Sequence, residues 1–242
     1  MGRLAEVTGD FDAPLVGLLD EALAVRVKKA ISAEQAAEWA RGVVRAREHW
    51  VSDFGGAQFS LGRAWYTHLE QHRTGDYFRD PAGSDALVER YCPGLQDAMR
   101  GLVARSVGAS VVARPGWCGP GVHVFPAGAL VANKGGDVHY DSEGLTPAHA
   151  RERAPALTIV LMLQPPVSGG GLRVWDLRYE GTDAYEDEDL DCANVIVPYE
   201  IGDLVFLDSY RMHQIQPFSG SIDRISATCH AAFVAGQWES WF

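Results

Sequence analysis

The sequence predicts an α+β fold, mainly β, in which N-terminal helices buttress a sandwich or barrel of short strands. Two observations carry this. Helix signals are confined to the part of the chain before residue 111. From Val111 onward, short apolar or alternating runs are parted by Gly and Pro turns, the pattern of a sandwich or barrel rather than of alternating β–α units.

In chain order, residues 1–13 are mixed and carry Gly9-Asp10-Phe11-Asp12, a loose leader. A short helix is expected over Pro14–Ala24, then a strand over Val25–Ile31. Ser32-Ala33-Glu34-Gln35 is a capping box that opens a helix to about Glu48. Ala36, Ala37, Trp39, Ala40, Val43 and Val44 recur along it at helical spacing, so one face should lie on a sheet. Residues 51–83 are rich in Gly, Asp and aromatics. They fit a structured surface loop, or a lid bringing Arg63, Trp65 or Tyr66 to a pocket. Ser84 can cap a second amphipathic stretch through Val107, interrupted at Pro93. Strands are then expected at 111–113, 121–126, 137–142, 156–164, 171–177, 194–198, 203–208, 212–217 and 224–234. No internal repeat or interdomain linker is evident, so 1–242 is expected to be one domain: a helical flank and possible lid over 1–110, and a β core over 111–234.

With 242 residues, 47% of them hydrophobic, the chain can bury a sizeable core. A formal charge of −11 argues against nucleic acid or an anionic membrane surface as a partner, since either favours a basic surface. No apolar run approaches bilayer-spanning length, and the start of the chain lacks an apolar signal core. The four cysteines, Cys92, Cys118, Cys192 and Cys229, are scattered without a CxxC pair, which points to a reducing, cytoplasmic compartment.

The chemistry gathers at Gly136-Asp137-Val138-His139-Tyr140-Asp141. In a strand His139 and Asp141 share a face, and a His-x-carboxylate pair supplies two-thirds of the facial triad of non-haem Fe(II) oxygenases. Taken alone, the pair could equally be hydrogen-bonded at a strand end. Partners stand downstream: His213, and eleven residues later Arg224-Ile225-Ser226. Arg224 could instead form a structural ion pair with Asp223 or Asp208. The ordered set is far more specific than any member.

This set resembles the Fe(II)- and 2-oxoglutarate-dependent oxygenases, particularly their prolyl-hydroxylase-like branch, over roughly residues 120 to 234. The likeness includes the run Arg153 to Leu163, Gly169-Gly170-Gly171-Leu172, Val197-Pro198 before Gly202-Asp203, and Pro217, Gly220 and Arg224 after His213. The resemblance implies a double-stranded β-helix, or jelly roll. It implies that His139, Asp141 and His213 bind Fe(II), and that Arg224 grips the far carboxylate of 2-oxoglutarate with help from Ser226. A guanidinium fork suits that carboxylate. Where relatives often have a tyrosine before a Pro-x-Gly turn, this chain has Phe125-Pro126-Ala127-Gly128, so polar help to the cosubstrate on that strand would fall to His123. Thr228 and His230 continue the face of Arg224 and could reach cosubstrate or substrate; Arg173 could grip a substrate carboxylate. The implied activity is O2-dependent hydroxylation of an unactivated C–H bond in a small-molecule substrate, an amino acid or a specialised-metabolism intermediate, releasing succinate and CO2. Desaturation, ring closure and epimerisation use the same ligands. Halogenating relatives replace the carboxylate by a small residue, and Asp141 argues against that outcome. Two alternatives are an Fe(II) oxygenase that does not use 2-oxoglutarate and a non-catalytic ligand-binding barrel. The acidic run Asp183–Asp191 is expected to be a solvated loop; folded over a pocket mouth it would favour a cationic substrate.

Overall fold

A computed structural model of the chain describes residues 2–242, apart from the side chains of Ala148 and Ala150, so Met1 of the expected leader lies outside it. The leader is not loose. Leu4–Thr8 forms β1, paired in parallel with β2 (Ala24–Lys28) from Leu4↔Ala24 to Thr8↔Lys28. That pairing covers an edge of β2 that would otherwise present open N–H and C=O groups. The helix expected over 14–24 shrinks to a 3-10 turn, Val16–Asp20. Helix α1 (Ala33–Arg45) starts where expected: the Ser32 hydroxyl accepts the Gln35 N–H at 3.1 Å, and Ala36, Trp39, Ala40 and Val43 are buried.

Residues 51–83 are built from regular elements rather than an open loop. They form β3 (Val51–Asp53), β4 (Gln58–Leu61), α2 (Trp65–Glu70) and α3 (Thr74–Arg79). Helix α4 (Pro81–Tyr91) is capped by Asp80, whose carboxylate accepts the Gly83 N–H at 2.8 Å with Pro81 in the first turn, rather than by Ser84. Ser84 lies inside α4 and takes the Arg63 N–H. The break at Pro93 leads into α5 (Leu95–Val107), and the Trp39 indole donates to the Pro93 carbonyl at 2.9 Å, tying α1 to that break.

After β5 (Val111–Ala113) come β6 (Gly121–Phe125), α6 (Leu130–Lys134), α7 (Pro147–Glu152), β7 (Ala156–Gln164), β8 (Ser168–Gly169) and β9 (Leu172–Arg178). Then follow β10 (Asn194–Val197), β11 (Leu204–Asp208), β12 (Arg211–Ile215), β13 (Phe218–Ser219), β14 (Arg224–Val234) and β15 (Gln237–Trp241). The major sheet runs β1-β2-β11-β7-β14-β6-β4-β3, with β15 and β5 added through β14. The minor sheet is β10-β9-β12, and β8 pairs with β13. Together they form the jelly roll. Because β1 to β4 belong to the major sheet, the first half of the chain is more than a helical flank. The expected strand over 137–142 reduces to one bridge, His139↔His213.

Strand alternation divides the major sheet into two faces. Leu157, Ile159, Leu161 and Leu163 of β7, Ile225, Ala227, Cys229 and Ala231 of β14, and Val122 and Val124 of β6 pack with α1, α4 and α5. The intervening residues Thr158, Val160, Arg224, Ser226, Thr228, His230, His123 and Phe125 face a cavity between the sheets. Leu172, which also lines that cavity, packs with Val174, Val195, Val197, Val205 and Leu207 in a second apolar cluster.

One buried ion pair anchors the turn before β11. Asp203 accepts from Arg26 Nε at 2.8 Å and Nη2 at 2.5 Å, and from the backbone N–H groups of Lys29 and Glu200 at 3.0 Å each. Asp203→Ala strands the buried Arg26 guanidinium, so chemical denaturation should show a loss of about 3–5 kcal/mol. A change within experimental error would show that Glu6 and Glu200, also beside Arg26, suffice.

Candidate active site

His139, Asp141 and His213 converge at the cavity, each offering one donor atom, all within 4.8 Å of one another. His213 Nε2 lies 3.1 Å from Asp141 Oδ2, and His139 Nε2 lies 3.6 Å from Oδ1. The backbone sets this: His139 and His213 exchange N–H···O bonds of 3.1 and 2.9 Å, and the Asp141 N–H donates to the Ser209 carbonyl. His139 Nδ1 contacts the Asp137 carbonyl at 2.8 Å, and His213 Nδ1 contacts the Arg211 carbonyl at 3.0 Å. A carbonyl only accepts, so in both rings Nδ1 carries the hydrogen, and in the neutral imidazole the Nε2 lone pair is left facing Asp141. Two imidazole lone pairs and a carboxylate suit a first-row divalent metal such as Fe(II), and no thiolate joins them.

Asp141 is held in turn. Its Oδ2 accepts the Thr158 hydroxyl at 2.5 Å, and Ser209 Oγ lies 3.0 Å behind Thr158. Burial pushes the Asp141 carboxyl upward, but His213, His230 and His139 outweigh it and hold the group well below the usual carboxylate range. Burial pushes His213 down; Asp141 reverses this and raises it. His139 is lowered by burial and then by His213. Thr158→Val keeps the shape of the side chain but removes the hydrogen bond that orients Asp141. Metal affinity, measured by titration of Fe(II) or Co(II), should fall about 10-fold, and unchanged affinity would show that His213 and the backbone suffice.

The cavity measures about 420 Å3, within the range of about 300–1,000 Å3 for small-molecule sites. At its buried wall Arg224, 1% exposed, donates from Nη1 to Ser226 Oγ at 3.0 Å and from Nε to the Gly170 carbonyl at 3.2 Å. Its guanidinium carbon stands 5.3 Å from the Phe125 ring centroid and 5.4 Å from that of Tyr199. Among the described residues no carboxylate pairs with it; neither Asp223 nor Asp208 does so. Because Ser226 accepts from Arg224, its own hydroxyl hydrogen is free for a ligand.

His123, Thr228 and His230 also line the cavity. Burial lowers His230 and takes His123 down to about 4, so both are neutral acceptors or donors near neutral pH. Two expected substrate residues are elsewhere. Trp65 packs against Tyr77, Phe78 and Trp117, whereas its neighbour Tyr66 lines the cavity. Arg173 sits on the face of β9 opposite Leu172, against Trp175, outside the cavity. Arg63 is bound to the Asp80 carbonyl. The Asp183–Asp191 run is exposed, apart from half-buried Leu190, and lies off the cavity wall.

Polar cavity residues to which the sequence assigns no role include Thr158, Gln58, Glu70, Lys134, Asp137 and Glu143. Thr158 had a visible signal, a lone hydroxyl in the apolar run Ala156–Leu163. Glu70, raised by burial and then by Asp137 and Asp183, and Glu143, pushed up to about 8 by burial and then by Asp141, had none.

The sequence matches no protein-family model and no curated protein. The fold does have solved neighbours. The non-heme alpha ketoglutarate dependent carbocyclase SnoK from nogalamycin biosynthesis superposes with a TM-score of 0.58 at 15% identity, over 92% of this chain and 84% of that one. The epimerase SnoN, in complex with Fe3+, alpha ketoglutarate and nogalamycin RO, superposes with a TM-score of 0.53 at 16% identity, over 87% and 81%. At this identity the likeness establishes the jelly-roll fold.

Proposed function

We propose that this chain is an Fe(II)- and 2-oxoglutarate-dependent oxygenase that attacks an unactivated C–H bond of a small molecule. The observation that carries the reading is the pairing, in one cavity, of a two-histidine, one-carboxylate donor set with a buried guanidinium that has no anion of its own. A buried cation without a counter-charge is costly. A dicarboxylate able to reach both the metal and Arg224 satisfies the two at once, and the family resemblance identifies it as 2-oxoglutarate. His139, Asp141 and His213 would hold the metal by one face, and Arg224 with the Ser226 hydroxyl would receive the distal carboxylate. His123 lies beside Ser226, its direct cross-strand partner, and would contact the same cosubstrate. Thr228 and His230 lie further along the wall toward the substrate.

When bound, iron with 2-oxoglutarate and O2 supplies an oxidant for C–H bonds, with succinate and CO2 released. The protein would place one C–H bond near the metal and orient the product. Hydroxylation is the default outcome. Epimerisation and ring closure, named for the neighbours SnoN and SnoK, would differ in where the substrate is held. The family likeness, including the prolyl-hydroxylase-like branch, rests on the His139/Asp141/His213 and Arg224/Ser226 motifs. The chain is read as one domain over 1–242, and four free cysteines fit a reducing cytoplasm.

The test is visible absorption of metal-free protein after anaerobic addition of Fe(II) and then 2-oxoglutarate. A weak charge-transfer band that needs both additions is expected, followed by succinate release with O2. Iron binding without the band would move the protein to oxygenases that do not use 2-oxoglutarate; no iron binding would leave a non-catalytic barrel.

A further inference from the structure

The turn joining β3 to β4, Phe54-Gly55-Gly56-Ala57 between the paired Asp53 and Gln58, reaches the cavity, and Phe54, Ala57 and Gln58 all line it. Three successive residues of this turn are left-handed, with φ of 50° at Phe54, 68° at Gly55 and 91° at Gly56. Glycine adopts that conformation freely, whereas a bulky aromatic residue does so only at a cost in free energy. Such an outlier persists where its surroundings over-determine it. Here they do. The Phe54 N–H donates to Gln71 Oε1 at 3.1 Å. The buried carboxylate of Asp53, just before it, accepts from Ser60 Oγ at 2.6 Å, Arg73 Nη2 at 2.6 Å and Gln71 Nε2 at 3.3 Å.

The fold draws little from the ring held this way, since Phe54 stays 39% exposed at the open end of the cavity. Its ring lies near-parallel to that of Tyr66, at 28° with centroids 6.4 Å apart. Tyr66 in turn meets His123 edge-on at 5.5 Å, so an aromatic wall runs from the mouth to β6. Tyr66 Oη accepts the Gln58 amide at 2.5 Å, which fixes the plane of its ring. Burial raises the Tyr66 phenol, and Asp53 and Asp141 add to this against the Gln58 hydrogen bond, so the wall is uncharged and lies within the field of a metal donor.

We infer that Phe54 and Tyr66 form a stacking platform for a planar aromatic ring of the substrate, and that Phe54 sets the preference for a flat ring over an aliphatic one. The inference rests on the oxygenase reading only for what then happens to the ligand. Neither backbone nor core accounts for phenylalanine at position 54: the conformation suits glycine, and the ring is left half in solvent. A flat ligand laid on the two rings in offset geometry would cover that face and gain the attraction specific to aromatic pairs.

The test uses two probes with one carbon skeleton, 2-naphthol and its saturated counterpart decahydro-2-naphthol. Each is titrated calorimetrically into the anaerobic protein carrying Fe(II) and 2-oxoglutarate, and into metal-free protein. The flat probe should bind at least about 5-fold more tightly, since one aromatic pair accounts for a factor of about 2 to 12. In Phe54→Leu, which keeps an apolar side chain but removes the flat face, the preference should fall at least about 2-fold, and Phe54→Tyr should retain it. Phe54→Asn removes the ring and suits a left-handed backbone, so without ligand its thermal midpoint should lie within about 4 °C of the wild type. Equal binding of the two probes, an undiminished preference in Phe54→Leu, no binding of either probe at millimolar concentration, or a larger fall in the Phe54→Asn midpoint, which would assign the ring to the fold, overturns the inference. Preference for the flat probe in a protein that gives no charge-transfer band upholds it and rejects the oxygenase reading; a band without that preference does the reverse.

Discussion

Arg224→Ala should raise the dissociation constant for 2-oxoglutarate at least about 30-fold, because truncating one member of a buried charge pair costs about 2–5 kcal/mol. The same change should leave the ligand-free protein as stable as the wild type, or more so. The contrast with Arg26 explains why. Both guanidiniums are buried, but Arg26 has Asp203 at 2.5 Å and Glu6 at 3.1 Å, so the chain supplies its counter-ions. Arg224 has only a hydroxyl and a carbonyl, above the faces of Phe125 and Tyr199. Burial lowers its pKa, yet a guanidinium stays charged in proteins, so an uncompensated cation remains until a ligand arrives. Removing it relieves a desolvation cost in the empty protein and deletes the anchor in the loaded one. Titration of the charge-transfer band gives the affinity, and thermal unfolding without ligand gives the stability. Wild-type affinity in the variant, or a loss of several kcal/mol without ligand, would make Arg224 structural.

What the sequence disclosed follows the same physics. Strand alternation in the sequence puts Arg224, Ser226, Thr228 and His230 on one face, and that face is the cavity wall. His139 and Asp141 converge with His213 although their stretch contributes one bridge rather than a strand; the two-residue spacing survived the change in context. Alternation does not say which face is the inner one. Arg173 was placed inward for that reason, and Leu172 occupies the position instead. A helix poses a harder version of this problem: Trp65 and Tyr66 are adjacent on α2, about 100° apart around its axis, and only the packing of α2 on Tyr77 and Trp117 decides that Tyr66 enters the cavity. β1 was missed because its pairing with β2 is a long-range event with no local signature. Glu70 and Glu143 had no local signal because residues far apart in the chain come to line one cavity only in the folded protein.

Asp141→Gly should abolish turnover and lower metal affinity at least about 100-fold, the upper end of what loss of a mere orienting partner produces. Asp141 supplies the donor set's negative charge. Without it two neutral imidazoles, ring centroids 4.3 Å apart, face a divalent ion alone. The empty protein is expected to tolerate the change, because Thr158 can turn its hydroxyl to Ser209 at 3.0 Å and His213 loses the carboxylate that raises it. Metal should therefore cease to stabilise the fold. In the wild type, free metal at 100 times its dissociation constant adds about 2.7 kcal/mol; in the variant the thermal midpoint should not move at that concentration. Near-normal turnover, or an undiminished metal-induced rise in the midpoint, would remove Asp141 from the metal site and the oxygenase assignment with it. A fall in midpoint before any metal is added would instead show that the Thr158–Asp141–His213 chain holds the two sheets together by itself.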